Sequence, residues 1–327
     1  MILKFFNEKF IIVQFGIIGL LLLNLLSNSI ILYEPQSFGP LYNLIYQGIK
    51  DNSMLISISF IALVITEGFL LQLIAMYYNL IPRNNFLIPF VWLILVNSNP
   101  AVISINPVII AAVVATWALF RLMSTSDIEN TLPSLFSAGF TLSIASLIYG
   151  NMIWYAGFLI LSLLFLSLFR AREVIVSFIS FSIPYLYLLS YGFVMDIDYT
   201  IWHNFHLSIG EWTFFSEGIQ LWISLFIALI ILILSLFGVL KIMFNLFSKL
   251  IQIRKFTSLL FAFLITNFIL QFIAGPWWFA HPIIIFVPLT ILLSIYLSEQ
   301  KKTFYLDLIL WLLIILEVVQ SYYTNYA

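Results

Sequence analysis

Residues 86–123 read FLIPFVWLILVNSNPAVISINPVIIAAVVATWALFRLM. The first apolar run, 86–98, is too short to cross about 30 Å of hydrocarbon unaided. Asn97-Ser98-Asn99-Pro100 then separates it from a second run, 104–123. Two readings follow: a pair of crossings, or a re-entrant element built on the break. Charge arbitrates between them.

Of the 327 residues, 63% are hydrophobic and only 8% are charged, against about half and a quarter in soluble domains. A soluble globular protein is excluded, and long unbroken apolar runs imply helices rather than a barrel. Candidate spans are 10–33, 54–81, 86–98, 104–123, 133–149, 152–169, 173–194, 219–241, 256–274, 280–298 and 303–323. Eleven helices of about 20 residues occupy roughly 220 positions, which leaves no room for a soluble domain. The expected fold is therefore all-α: one polytopic transmembrane domain, 1–327, with its first span retained.

Thirteen basic and 14 acidic residues give a net charge of −1. Such a chain offers no basic surface, so nucleic acid is not an expected partner. Without cysteine there is neither a disulfide framework nor a thiolate site. The charges carry information by position. With eleven crossings and a cytoplasmic N-terminus, the inner loops collect Lys4, Lys9, Arg83, Arg121, Arg170, Arg172, Lys241, Lys249, Arg254, Lys255, Lys301 and Lys302; the outer loops hold only Lys50. This positive-inside bias is the argument for two crossings over 86–123 rather than a re-entrant element. The expected topology is N-in and C-out, in a bacterial inner membrane.

Two outer loops are more than turns. EPQSFGPLYNLIYQGIKDNS, residues 34–53, places Leu41, Leu44, Ile45, Gly48 and Ile49 at helical spacing, as in a short helix lying in the headgroup plane. MDIDYTIWHNFHLSIGEWTFFSEG, residues 195–218, is the longest polar stretch. Outer loops gather Glu34, Asp51, Asp196, Asp198, Glu211 and Glu217 and all three histidines, His203, His206 and His281. Glu34 follows the first span immediately, where a membrane-surface substrate's headgroup would lie, and suits a general base. Asp196 and Asp198 share a face if extended, and His203 and His206 share one if helical. They are read as solvated loop residues or as parts of an outward site; no metal is expected, for want of a ligand motif. Trp277 and Trp278 are interface anchors or a stacking platform for a sugar or lipid.

Intramembrane acids are functional candidates because a charge at mid-bilayer costs several kcal/mol. Glu67 falls near the middle of the second candidate span and is either a hydrogen-bonded helix-joining residue or the acid of a proton-coupled carrier. Glu317 lies toward the outer end of the last span, close enough to the interface to be solvated. No phosphate-binding loop, dinucleotide fingerprint, nucleophile elbow or zinc helix is present, and no cofactor is expected.

The stretch 86–192 resembles the corresponding part of the polytopic C-type membrane glycosyltransferases (GT-C). In 86–123 the likeness is a short helix, a polar break ending in proline, and a small-residue helix closing in Phe120-Arg121. LFSAGFTLSIASLIYGNMIWYAGFLILSLLFLSLFR (135–170) and AREVIVSFISFSIPYLYLLSYG (171–192) continue it, the latter with Pro184 inside the helix. Across the whole chain there is also a similarity to an uncharacterised family of bacterial polytopic membrane proteins. The first resemblance implies a carboxylate on the first outer loop, here Glu34, acting on a sugar carried by a polyprenyl phosphate. A glycosyltransferase-like enzyme is one expectation. The alternatives are a non-catalytic subunit or scaffold bound to an envelope protein partner, and a transporter using Glu67.

Overall fold

The computed structural model describes residues 3, 6, 11–27, 30–32, 39–82, 85–99, 102–126, 131–194, 219–246, 249–273, 282–300 and 304–326. Their helices are α1 (Ile11–Ser27), α2 (Pro40–Ile49), α3 (Ser53–Tyr77), α4 (Leu87–Asn97), α5 (Pro107–Met123), α6 (Thr131–Ile148), α7 (Tyr155–Phe165), α8 (Ala171–Val194), α9 (Ile219–Asn245), α10 (Ile251–Ile273), α11 (Pro282–Ser298) and α12 (Phe304–Tyr326). A 3₁₀ segment, Gly150–Trp154, leads into α7, and two short strands, β1 (Ile31–Leu32) and β2 (Ser104–Ile105), pair in parallel. Six helices are long and apolar enough to cross a membrane, within α3, α6, α8, α9, α10 and α12; five others are apolar but shorter. Each candidate span of the sequence coincides with one of these eleven.

Local chemistry sets several boundaries. Asn52 caps α3, its side chain accepting from the Met54 and Leu55 amides at 3.0 and 3.3 Å. Asn106 caps α5 by accepting from the Ile109 amide at 2.9 Å, and proline opens both α2 and α5, where its missing N–H costs nothing. Helices apolar on every side belong in the interior. Accordingly, every residue of α4 except Pro89 is buried, as are 13 of the 17 in α11. The two pack on each other, and α1, α3, α5, α9 and α10 surround them. The polar break after α4 is also inside: Asn97, Ser98 and Val102 to Asn106 are buried, so its irregular backbone faces protein rather than lipid.

Polar contacts sort the helix termini into two ends of the bundle. At one end the Leu3 amide donates to Asp307 at 2.8 Å, and the Phe86 amide to Gln14 at 3.3 Å. There too, Tyr78 donates to the Phe120 carbonyl at 3.2 Å and Lys255 to the Leu166 carbonyl at 3.2 Å, while Lys249 pairs with Glu299 at 2.5 Å. At the other end Asn24 donates to Asn97 at 3.1 Å, Ser27 meets Ser321 at 3.1 Å, and Gln320 donates to Ser224 at 2.8 Å. Helix α4 therefore runs parallel to α1 from the level of Gln14 to that of Asn24, and α5 returns toward Tyr78. Helices α4 and α5 are not close packing partners, as the arms of a re-entrant hairpin would be; each packs on α3 and α11. Among the described residues, the first end carries Arg121, Arg170, Arg172, Lys241, Lys249, Arg254 and Lys255, and the second carries Lys50.

Candidate functional site

The second end of the bundle holds the described part of the first loop. Ile31 and Leu32 lie in register with Ser104 and Ile105. Seven residues later the Gly39 amide donates to the Ile148 carbonyl at 3.1 Å, at the end of α6. A Cβ on Gly39 would stand 1.8 Å from the Leu147 carbonyl oxygen, so only glycine permits this approach. The Tyr42 hydroxyl then donates to the Ile105 carbonyl at 3.3 Å. Burial, with Tyr46 as a lesser contribution, pushes the Tyr42 phenol above its ordinary value and keeps it a donor. Both flanks of residues 33–38 are thus fastened, one to the strand before α5 and the other to the end of α6.

The outward face of α2 differs from the expected stripe. Tyr42, absent from that stripe, is the fully buried residue; Leu41, Tyr46 and Ile49 pack on the core, while Leu44 is 67% exposed. The reason is tertiary: the helix turns its aromatic side to the carbonyl of β2. Nearby polar side chains serve the scaffold, since Asn106 also donates to Ser104 at 3.0 Å and Asn151 donates to the Tyr149 hydroxyl at 3.1 Å. Buried Tyr155 donates to Asn267 on α10, a pair with no signal in either local sequence. Glu34, Asp196, Asp198, His203, His206, Trp277 and Trp278 lie outside the described residues. Among the described residues no group of three or more His, Asp or Glu is placed to hold a metal ion.

Glu67 is fully buried in α3. Its Oε1 accepts from the Thr116 hydroxyl of α5, and its Oε2 has no partner. Beside it, Gly68 admits Trp92 of α4, whose ring would come within 3.2 Å of a Cβ there, and Trp92 Nε1 donates to the Val64 carbonyl at 3.0 Å. Three helices meet at this point, and Thr116 is the contributor that the sequence alone does not single out.

Glu317 corrects an expectation. Far from solvated, it is 1% exposed, and neither carboxylate oxygen has a partner. The cause is the cover supplied by neighbouring helices: Ser27 of α1 and Ser224 of α9 are hydrogen-bonded to Ser321 and Gln320, one turn beyond it. Gln320 sits three residues on, on the same buried face as Asp307, Leu310 and Leu313. That spacing was the available signal for it. Comparison of the chain with protein-family models, curated proteins and solved structures finds no match.

Proposed function

We propose that the chain is an eleven-span protein of the bacterial inner membrane, N-in and C-out, that transfers a sugar from a polyprenyl-phosphate donor at the outer face. Two features support the topology. The first and last helices are parallel, which requires an odd number of crossings. The end rich in Arg and Lys is then cytoplasmic, as positive-inside orientation demands.

The observation that carries the enzymatic reading is the fastening of the first loop at Leu32–Ile105 and Gly39–Ile148. Glu34 belongs to the six residues between those anchors, and a general base must be held within reach of the proton it removes. In the proposed step an acceptor hydroxyl oxygen bonds to the anomeric carbon and its proton passes to the Glu34 carboxylate. The carbon–oxygen bond to the lipid phosphate breaks, and the electron pair leaves with the phosphate. Glu34→Gln is expected to lower consumption of lipid-linked sugar by about 10²-fold or more, with matching loss of surface glycan. Unchanged consumption in that variant would remove the reading.

A second reading is the non-catalytic subunit of an envelope assembly. It is favoured by the scarcity of cations at the outer end, where Lys50 stands alone and neither 195–218 nor 274–281 contains Lys or Arg. A leaving phosphate is ordinarily met by such a charge. Mild-detergent purification recovers a stable partner under this reading and a monomer under the first. The engagement of Glu67 with Thr116 favours a helix-joining role over transport.

A further inference from the structure

Glu317 is a carboxyl without a counter-ion. It is 1% exposed and both its oxygens are unpartnered. Gln320, one turn further along α12 and 2% exposed, donates its amide to Ser224 and is left with an unpartnered Oε1. Residues three apart on a helix are neighbours on one face. Three buried acceptors on that face therefore have no hydrogen-bond partner. Buried polar atoms are almost always satisfied, and a buried ionised carboxylate needs a neutralising charge.

No side chain of the surrounding helices supplies that charge. Helices α1, α4, α9 and α12 contain one basic residue between them, Lys241 of α9. It lies 17 residues from Ser224, roughly 25 Å along the helix axis. A proton on Glu317 would give one donor for three acceptors. An organic amine has no way into a site closed to this degree. A divalent ion beside one carboxylate would leave an excess positive charge in apolar surroundings.

We propose that Glu317 and Gln320 form a closed binding site for a small monovalent metal cation, with sodium as the probe ion. The site lies in the outer half of the bundle between α12, α1 and α9. Hard cations take oxygen ligands, carboxylate and carboxamide oxygens among them. Occupancy ties α12 to its neighbours and stabilises the folded state by mass action. Independent of any transfer chemistry, it predicts a sodium-dependent stability.

The test uses the whole chain in mild detergent, exchanged into choline chloride. Titration with NaCl at constant ionic strength and constant pH is followed by thermal unfolding and by equilibrium binding of radioactive sodium. Wild-type protein should bind one sodium ion per chain and show a saturable rise in Tm of several degrees. Glu317→Gln, similar in shape and uncharged, should lose both responses, and Gln320→Leu should weaken sodium binding at least tenfold. Absence of saturable sodium binding by wild type, or binding undiminished in a monodisperse Glu317→Gln, overturns the proposal. Should Glu317→Gln not fold, the wild-type binding stoichiometry together with Gln320→Leu decides the matter.

Discussion

Ser27 on α1 and Ser321 on α12 share a 3.1 Å hydrogen bond across 294 residues of sequence. At the opposite end of α12 the Leu3 amide, eight residues before the start of α1, reaches Asp307, and Gln14 of α1 donates to the Phe6 carbonyl at 3.3 Å. Two contacts of this kind make the first and last helices parallel. Parallel first and last helices are what an odd number of crossings requires, as in the proposed topology. The absence of cysteine makes the pair directly accessible to cross-linking. Ser27→Cys combined with Ser321→Cys should form an intramolecular disulfide on mild oxidation, read as a mobility shift, because the side chains already meet at the right range. Ser27→Cys with Ser298→Cys, at opposite ends, should not.

Gly39 fastens the start of α2 to the end of α6. Gly39→Ala would put a methyl group 1.8 Å from the Leu147 carbonyl oxygen, and overpacking of this kind costs about 1–3 kcal/mol. Lower thermal stability and a loss of sugar transfer are expected together. Gly48→Ala, with nothing within 4 Å of the added carbon, serves as the control and should be neutral or mildly stabilising, since alanine is the better helix former.

The closest helix approach involving a glycine of the long spans is that of α6 and α8, where a Cβ on Gly139 would meet Ser180 Oγ at 2.0 Å. Gly139→Ala should destabilise by about 1–3 kcal/mol. Adding Ser180→Ala removes the clashing oxygen, so the double variant should recover part of the loss. Simple additivity in chemical or thermal unfolding would show that the two residues do not meet.

At the α3–α5 contact, Thr116→Val removes the donor to Glu67 and leaves both of its oxygens without a partner. The expected cost is about 1–3 kcal/mol. Thr116→Ser keeps the hydroxyl and should stay near wild type, and Glu67→Gln retains an acceptor for Thr116 and should cost less than Thr116→Val. Equal stability of Thr116→Val and wild type in thermal unfolding would mean that the bond contributes nothing.

Hydropathy and charge were sufficient to locate the helices, because a run such as 54–81 has no other stable state in lipid. The short helix after the first span was equally legible from Leu41, Leu44, Ile45, Gly48 and Ile49 at helical spacing. Which side of it faces the protein was not, for that depends on the Ile105 carbonyl meeting Tyr42. The β1–β2 ladder was hidden for the same reason: Leu32 and Ile105 belong to distant segments, and neither carries a strand signal of useful length. Glu317 is the sharpest case. Distance from the end of a span predicts solvent, whereas the helices that hold Ser27 and Ser224 cover that end. Local pattern identifies a candidate site residue, and tertiary cover decides its chemistry.

In the proposed function, transfer at the outer face depends on Glu34. The most direct measurement is transfer of radiolabelled sugar from a polyprenyl-phosphate donor to acceptor by the purified protein in proteoliposomes. Wild type should catalyse it, and Glu34→Gln, equally folded and equally stable, should fall by about 10²-fold or more. Equal rates for the two proteins, or no transfer by wild type with any lipid-linked sugar, would rule out that function.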